Sequence, residues 1–160
     1  RVIGLPGDKV RLIKGKLFIN ESMLIREELS NFVEKKIEQG SMKTVPQCVN
    51  EPVPFGNENC IKHQSLEKLD NGKSYRILDL GQNIGDDTQD FIVGDDEYFF
   101  LGDNRDNSLD SRFDRQFGGV GLVSKEYLIG KASLILFSSR GSSIFYFWTW
   151  RKDRFFKVIR

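Results

Sequence analysis

Histidine is nearly absent. The 160 residues hold one, His63, in the polar stretch Lys62-His63-Gln64-Ser65, where it reads as a surface side chain. A Ser-His-Asp triad would have to recruit it from there, and sequence distance alone does not forbid that. Cysteine is scarce as well. Cys48 and Cys60 have eleven residues between them, which fits neither a zinc pattern nor a CxxC redox pair. Oxidised, they would close a loop worth roughly 3 kcal/mol. Reduced, they would be two thiols in an irregular segment; export would favour the bridge. Net charge is missing, with 24 basic against 23 acidic residues, so nothing draws the chain to nucleic acid. No apolar run approaches the roughly 18 residues of a membrane span. No secretory signal opens the chain, because Arg1-Val2-Ile3 passes at once into a turn. The first residue is not Met, so the chain reads as an internal piece of a longer protein.

What remains is globular material. Apolar residues make up 39% and aromatics 12%, with 13 Phe, enough for one domain with a real core. Leu5-Pro6-Gly7-Asp8 suits a type II turn. Val10 and Leu12, then Leu17 and Ile19, alternate with polar neighbours around Lys14-Gly15-Lys16, a hairpin signal. Residues 24–40 are ambiguous: Ile25, Leu29, Phe32 and Val33 have roughly helical spacing, yet Phe32-Val33 suits the start of a strand. Residues 41–62 hold three of the four prolines and both cysteines, and read as irregular. Asn71-Gly72 is the strongest turn signal and joins a strand near 64–69 to Ser74–Leu80. Gly81 to Thr88 is an acidic loop. Phe91–Val93 and Glu97–Leu101 flank the turn Gly94-Asp95-Asp96. Ser124 caps a short helix, and Leu134–Phe137 reads as a buried strand. There is no repeat and no linker. The fold class is mainly β, largely antiparallel, with one or two short helices.

The densest polar cluster is GDNRDNSLDSR, Gly102 to Arg112, directly after the apolar run Tyr98-Phe99-Phe100-Leu101. Residues of these types also build plain surface loops by capping backbone groups. Attachment to an aromatic strand implies that part of the cluster is buried, and buried Asp and Arg must then pair. Calcium fits in neither register. A loop starting at Asp103 meets Arg105 where an oxygen ligand belongs and Ser108 where glycine belongs, and one starting at Asp106 meets Phe117 where glutamate belongs. Within one loop the separation of paired acid and base carboxylates is not fixed. A dinucleotide loop fares worse, because Gly119-x-Gly121 is followed by Ser124 in place of a third glycine. A lysine can replace histidine as general base if burial and neighbours lower its pKa. Ser108, beside Asp110 and Arg112, supplies the shell such a lysine requires.

The residues Arg1-Val2-Ile3-Gly4-Leu5-Pro6-Gly7-Asp8-Lys9-Val10 resemble box D of the bacterial type I signal peptidases, the leader peptidases. Gly102 to Arg112 resembles their box E, and Gly118 to Val123 with Leu128 to Ala132 resembles the stretch after it. The resemblance implies the β-sheet fold of that family, with residues 1–160 a single catalytic-domain fragment and 24–88 a variable excursion within it. It implies a membrane-anchored endopeptidase on the outer face of the plasma membrane, periplasmic or extracellular. Such an enzyme removes signal peptides from preproteins after small residues, by a Ser/Lys dyad with no metal or other cofactor. Its partners are signal peptides and membrane lipid, and not nucleic acid. Residue by residue, Ser108 matches the serine that orients the dyad lysine. Asp110 and Arg112 match the ion pair behind the site. Asp103 matches an acid that pairs with the box D arginine, here Arg1. Gly102 matches a glycine that leaves room beside the dyad. Asn104, Arg105, Asp106 and Asn107 read as loop architecture.

The dyad itself is expected upstream. The family's lysine stands immediately before the position of Arg1, and its serine lies further back in an S-M-x-P-like segment after a membrane anchor. Ser41-Met42 follows box D and is read as coincidence. No catalytic residue is therefore expected within the chain, which is expected to be inactive alone. The tail Ile144 to Trp150, followed by Arg151, Lys152 and Arg154, suits either a last strand packed on the core or a membrane interface. Two rival classes remain: the self-cleaving repressor relatives with the same Ser/Lys chemistry, and a non-catalytic β-domain that binds extended peptides by strand addition.

Overall fold

The computed structural model describes residues 1–39, 43–56, 58–139, 143 and 145–159. Ser41-Met42, and Ile144 at the head of the aromatic tail, lie outside the described residues. The chain divides into two compact units, Arg1–Val33 with Ile61–Leu128, and Glu34–Cys60 with Ile129–Arg160.

The first unit begins with β1 (Val2–Gly4) and the hairpin of β2 (Lys9–Ile13) and β3 (Lys16–Ile19). Val10 faces Ile19 and Leu12 faces Leu17, the register the alternation predicts. The turn between them has positive φ at both Lys14 and Gly15, the type I′ geometry that matches strand twist. The amide of Asp8 closes the Leu5–Asp8 turn on the Leu5 carbonyl at 2.9 Å. Short strands β4 (Ser22–Met23) and β5 (Ile25–Glu28) follow, then β6 (Phe32–Lys35) and the long β7 (Asn59–Lys68). The ambiguity over 24–40 resolves to strand. Leu24 is buried and Ile25 is 63% exposed, so the burial has period two and no helical stripe forms.

β7 pairs with β5 through Ser65 to Lys68 and with β8 (Ser74–Asp79) through the Asn71-Gly72 turn. β9 (Phe91–Ile92) joins β2. β10 (Glu97–Phe100) lies between β1 and β11 (Val123–Ser124). Ile3, Val10, Leu12, Leu17, Leu24, Tyr75, Ile77, Val93, Phe99 and Leu101 form the core. Burying each such side chain contributes about 1.5–3 kcal/mol. Helix is confined, among the described residues, to three-residue 3₁₀ turns such as Arg105–Asn107 and Lys125–Tyr127, the latter preceded by Ser124 without a side-chain cap.

The second unit carries β12 (Leu134–Ile135) paired antiparallel with β13 (Lys157–Val158). The buried strand expected at Leu134–Phe137 is corrected here. Only Leu134 and Ile135 are in strand, and Leu134, Leu136 and Phe137 are 43%, 58% and 38% exposed, because a two-stranded ribbon has no sheet to cover it. Trp150 stacks on Phe137 and packs against Phe155, while Phe145, Phe147 and Trp148 stay largely exposed. Cys48 and Cys60 are joined in a disulfide. Reduction is expected to lower the stability of this unit by roughly 3 kcal/mol on the chain-entropy estimate. Thermal unfolding with and without a thiol reductant measures it. A Cys48→Ser/Cys60→Ser protein should match the reduced chain.

Candidate active site

The cluster Gly102–Arg112 is placed by the pairing of β1 with β10. Val2 lies opposite Phe100. The Arg1 α-nitrogen donates to the Leu101 carbonyl at 2.6 Å, and the Leu101 amide donates back to the Arg1 carbonyl at 3.0 Å. Continuing this antiparallel register by one step sets the position before Arg1 opposite Gly102. There the chain leaves the sheet. The Leu78 amide on β8 donates to the Asp103 carbonyl at 2.7 Å, and the Arg105–Asn107 turn follows.

Ser108 returns toward the strand end. Its hydroxyl donates to the Asn104 carbonyl at 2.7 Å and packs directly on Gly102. A Cβ on Gly102 would meet Ser108 Oγ at 1.9 Å and Ser108 Cβ at 2.4 Å, so only glycine allows this approach. Behind them Asp110 and Arg112 form a buried two-point pair. Arg112 Nε donates to Asp110 Oδ1 at 2.8 Å and Nη2 to Oδ2 at 3.0 Å. Asp110 Oδ2 also accepts the Gly102 amide at 3.0 Å. Arg112 also donates to the Gly85 carbonyl at 3.3 Å and to the Arg105 carbonyl, and its guanidinium lies 5.4 Å from the centre of the Phe113 ring. Ser111 ties the return to β10, donating its amide to the Phe100 carbonyl and accepting the Phe100 amide on its hydroxyl.

At the front, Arg1 Nε and Nη2 donate to the two oxygens of Asp103 at 2.6 and 3.1 Å. Both side chains are more than a third exposed, so the pair adds only about 0–1 kcal/mol and acts mainly on geometry. The Arg1 guanidinium also lies 5.2 Å from the centre of the Tyr75 ring.

All six residues singled out from sequence, Arg1, Gly102, Asp103, Ser108, Asp110 and Arg112, are thus gathered around the end of β10. His63 is exposed, its Nδ1 3.4 Å from the Asn31 side-chain oxygen.

The sequence reading missed a second buried network and took Arg105 for loop architecture. Arg105 is 3% exposed and its guanidinium grips both oxygens of Glu67, itself 1% exposed. Tyr75 donates its hydroxyl to Glu67 at 2.8 Å, and Arg26 adds a bond at 2.8 Å. Burial opposes the ionisation of Glu67, but the Arg105 charge and the three donors outweigh it and hold its pKa below the usual carboxylate value. Burial next to Glu67 pushes Tyr75 up. A signal existed. Counting back from Asn71-Gly72 sets Glu67 opposite Tyr75 on the core face of the hairpin, and a carboxylate there demands a cation.

The family described as "Signal peptidase, peptidase S26" matches residues 1–137. A protein named signal peptidase I from Rickettsia bellii (strain OSU 85-389) is 37% identical over 147 residues, 88% of this chain and 42% of that protein. The like-named protein of Rickettsia canadensis (strain McKiel) is 35% identical over 147 residues, 88% of this chain and 45% of its own length. That of Rickettsia typhi (strain ATCC VR-144 / Wilmington) is 34% identical over 148 residues, 88% of this chain and 46% of its own. The chain spans less than half the length of these relatives.

Proposed function

The chain belongs to the signal peptidase family, peptidase S26, and on that premise we propose that it is the site-supporting part of a membrane-anchored serine endopeptidase that removes signal peptides from exported preproteins. The dyad serine and lysine are supplied from before Arg1, with the lysine immediately adjacent. The observation that carries this reading is the packing of Ser108 Oγ on Gly102, opposite the position that precedes Arg1.

The chemistry follows from that corner. The neutral lysine amine takes the proton of the nucleophilic serine as its oxygen bonds to the scissile carbonyl carbon. The C–N bond then breaks, the leaving amine takes the proton, and an acyl-enzyme remains for water to hydrolyse. Ser108 orients the lysine by a hydrogen bond. Asp103 and Arg1 fix the entry of β1, and Asp110 with Arg112 clamps the backbone at Gly102. A buried amine flanked by fixed pairs stays uncharged near neutral pH. The substrates are signal peptides with small residues before the cleaved bond. The domain works on the outer face of the plasma membrane, where the disulfide Cys48–Cys60 would persist and exposed Phe145, Phe147 and Trp148 near Arg151 and Lys152 suit a lipid headgroup boundary. No helix among the described residues is long and apolar enough to cross a membrane.

In the full-length protein with a preprotein substrate, Ser108→Ala is expected to lower kcat by about 10²-fold. The acidic limb of the kcat/KM profile should move to higher pH, because a less constrained lysine is more basic. The isolated chain should cleave nothing. Unchanged kcat and pH profile in Ser108→Ala, or cleavage by the isolated chain that survives substitution of every serine, would refute the Ser/Lys assignment.

A further inference from the structure

The network built on Glu67 touches the proposed site at two separated points, and both contacts run through one hairpin. Tyr75, on β8, presents its ring face to the guanidinium of Arg1 at 5.2 Å. Its hydroxyl donates to Glu67 Oε2, on β7, at 2.8 Å. Glu67 in turn holds both terminal nitrogens of Arg105. Arg105 opens the 3₁₀ turn that delivers Ser108, and its carbonyl accepts from Arg112. Arg112 closes on Asp110, which holds the Gly102 amide. A continuous path of contacts therefore runs from Arg1 through Tyr75, Glu67, Arg105, Arg112 and Asp110 to Gly102, against which Ser108 packs.

We propose that Tyr75 and Glu67 are positioning residues for the Ser/Lys chemistry: the β7–β8 hairpin sets the aim of the lysine-bearing strand through Arg1 and the aim of Ser108 through Arg105. This rests on the reading of the site under Proposed function and extends it to two residues outside both boxes. The physical basis is that the hairpin adds a directional contact at each end. The Arg1–Asp103 pair is half exposed and tolerates movement, whereas the flat Tyr75 ring restricts the guanidinium to one face. The turn Arg105–Asn107 is one three-residue 3₁₀ element with no side-chain cap at its N-terminus, and besides the Leu80 amide on Asp106 its hold on the β7–β8 hairpin is the buried grip of Glu67 on Arg105.

The test uses the full-length protein and a preprotein substrate, with kcat, KM and pH profile measured for Tyr75→Leu and Tyr75→Phe. Tyr75→Leu removes both contacts. It should lower kcat by roughly 10- to 100-fold at unchanged KM and move the acidic limb of the kcat/KM profile to higher pH, as the lysine is released from its partner. Tyr75→Phe keeps the ring under Arg1 and frees only Glu67, so its loss should be smaller and its pH shift in the same direction. Tyr75→Phe also decides the matter if Tyr75→Leu does not fold. Lower melting temperatures with wild-type kcat and pH profiles would reduce the hairpin to a structural role and overturn the proposal. The two readings fail differently. A wild-type protein that cleaves no preprotein defeats the proposed function, whereas Ser108→Ala shifting the profile while both Tyr75 variants do not defeats only this inference.

Discussion

Arg105→Ala is expected to destabilise the chain by about 3–5 kcal/mol, the usual cost of removing one partner of a buried ion pair. Glu67 would keep Tyr75 and Arg26 as donors but lose its only fully buried cation, since the Arg26 side chain is 23% exposed. A simultaneous Arg105→Met/Glu67→Leu exchange should cost much less, because neither member of the pair is then left buried without the other, and Arg26 keeps Asp79. Urea unfolding of the wild type, Arg105→Met, Glu67→Leu and the double gives the coupling energy directly. The pH dependence has a defined sign. Glu67 has a depressed pKa in the folded state, so its contribution is present above the ordinary glutamate value of 4.5 and is lost as the pH falls below that value and through the folded pKa. The penalty of Arg105→Ala should therefore be largest well above pH 4.5 and shrink as the pH falls, vanishing only below the depressed folded pKa, where Glu67 is neutral in both proteins. Asp86, whose pKa burial raises, works in the opposite direction, but it is common to both proteins and cancels in the difference. A penalty independent of pH would mean that Glu67 is not the group Arg105 compensates.

That network also marks the boundary of what the sequence discloses. Signals carried by adjacent residues were legible: Pro6-Gly7, Lys14-Gly15 and Asn71-Gly72 each specify a turn, and the latter two set the register of their hairpins. Local pattern required only that a buried Asp and a buried Arg of the cluster pair; that Asp110 takes Arg112 was what the resemblance implied. Arg1 with Asp103 is different. Their separation of 102 residues is invisible to local patterning, and only the resemblance of both boxes to one family joined them. Glu67 with Arg105 had neither aid, because Glu67 lies in a segment with no motif and its partner is 38 residues away. The strands at 24–40 were obscured by apolar residues whose spacing satisfies two periods at once. Burial, which decides between them, is a tertiary property. The fate of Cys48 and Cys60 was open because bridging depends on Cα separation, here 5.1 Å, and composition does not encode that.

Asp110→Ala should be as damaging as loss of Arg105, about 3–5 kcal/mol, for a related reason with an added backbone term. The Arg112 side chain is 1% exposed, and without Asp110 its charge would keep the Gly85 and Arg105 carbonyls and the Phe113 ring but no anion bonded to it. The Gly102 amide would lose its acceptor at the same time, and an unpaired amide in a half-buried site adds about 1–3 kcal/mol at most. Asp110→Asn separates the two terms. Its side-chain oxygen has the reach to accept from one donor but carries no charge for Arg112, so it should recover part of the stability and little of the clamp. Arg112→Lys should not rescue either, since a single ammonium cannot reproduce the two parallel bonds of a guanidinium. Because Gly102 has no space to yield toward Ser108, any shift of its backbone moves the serine hydroxyl. In the full-length protein Asp110→Asn should therefore lose kcat out of proportion to its loss of stability. If stability and kcat instead fell together and Arg112→Lys restored both, Asp110 would be holding charge alone, and the corner at Gly102 would owe its shape to the β1–β10 pairing.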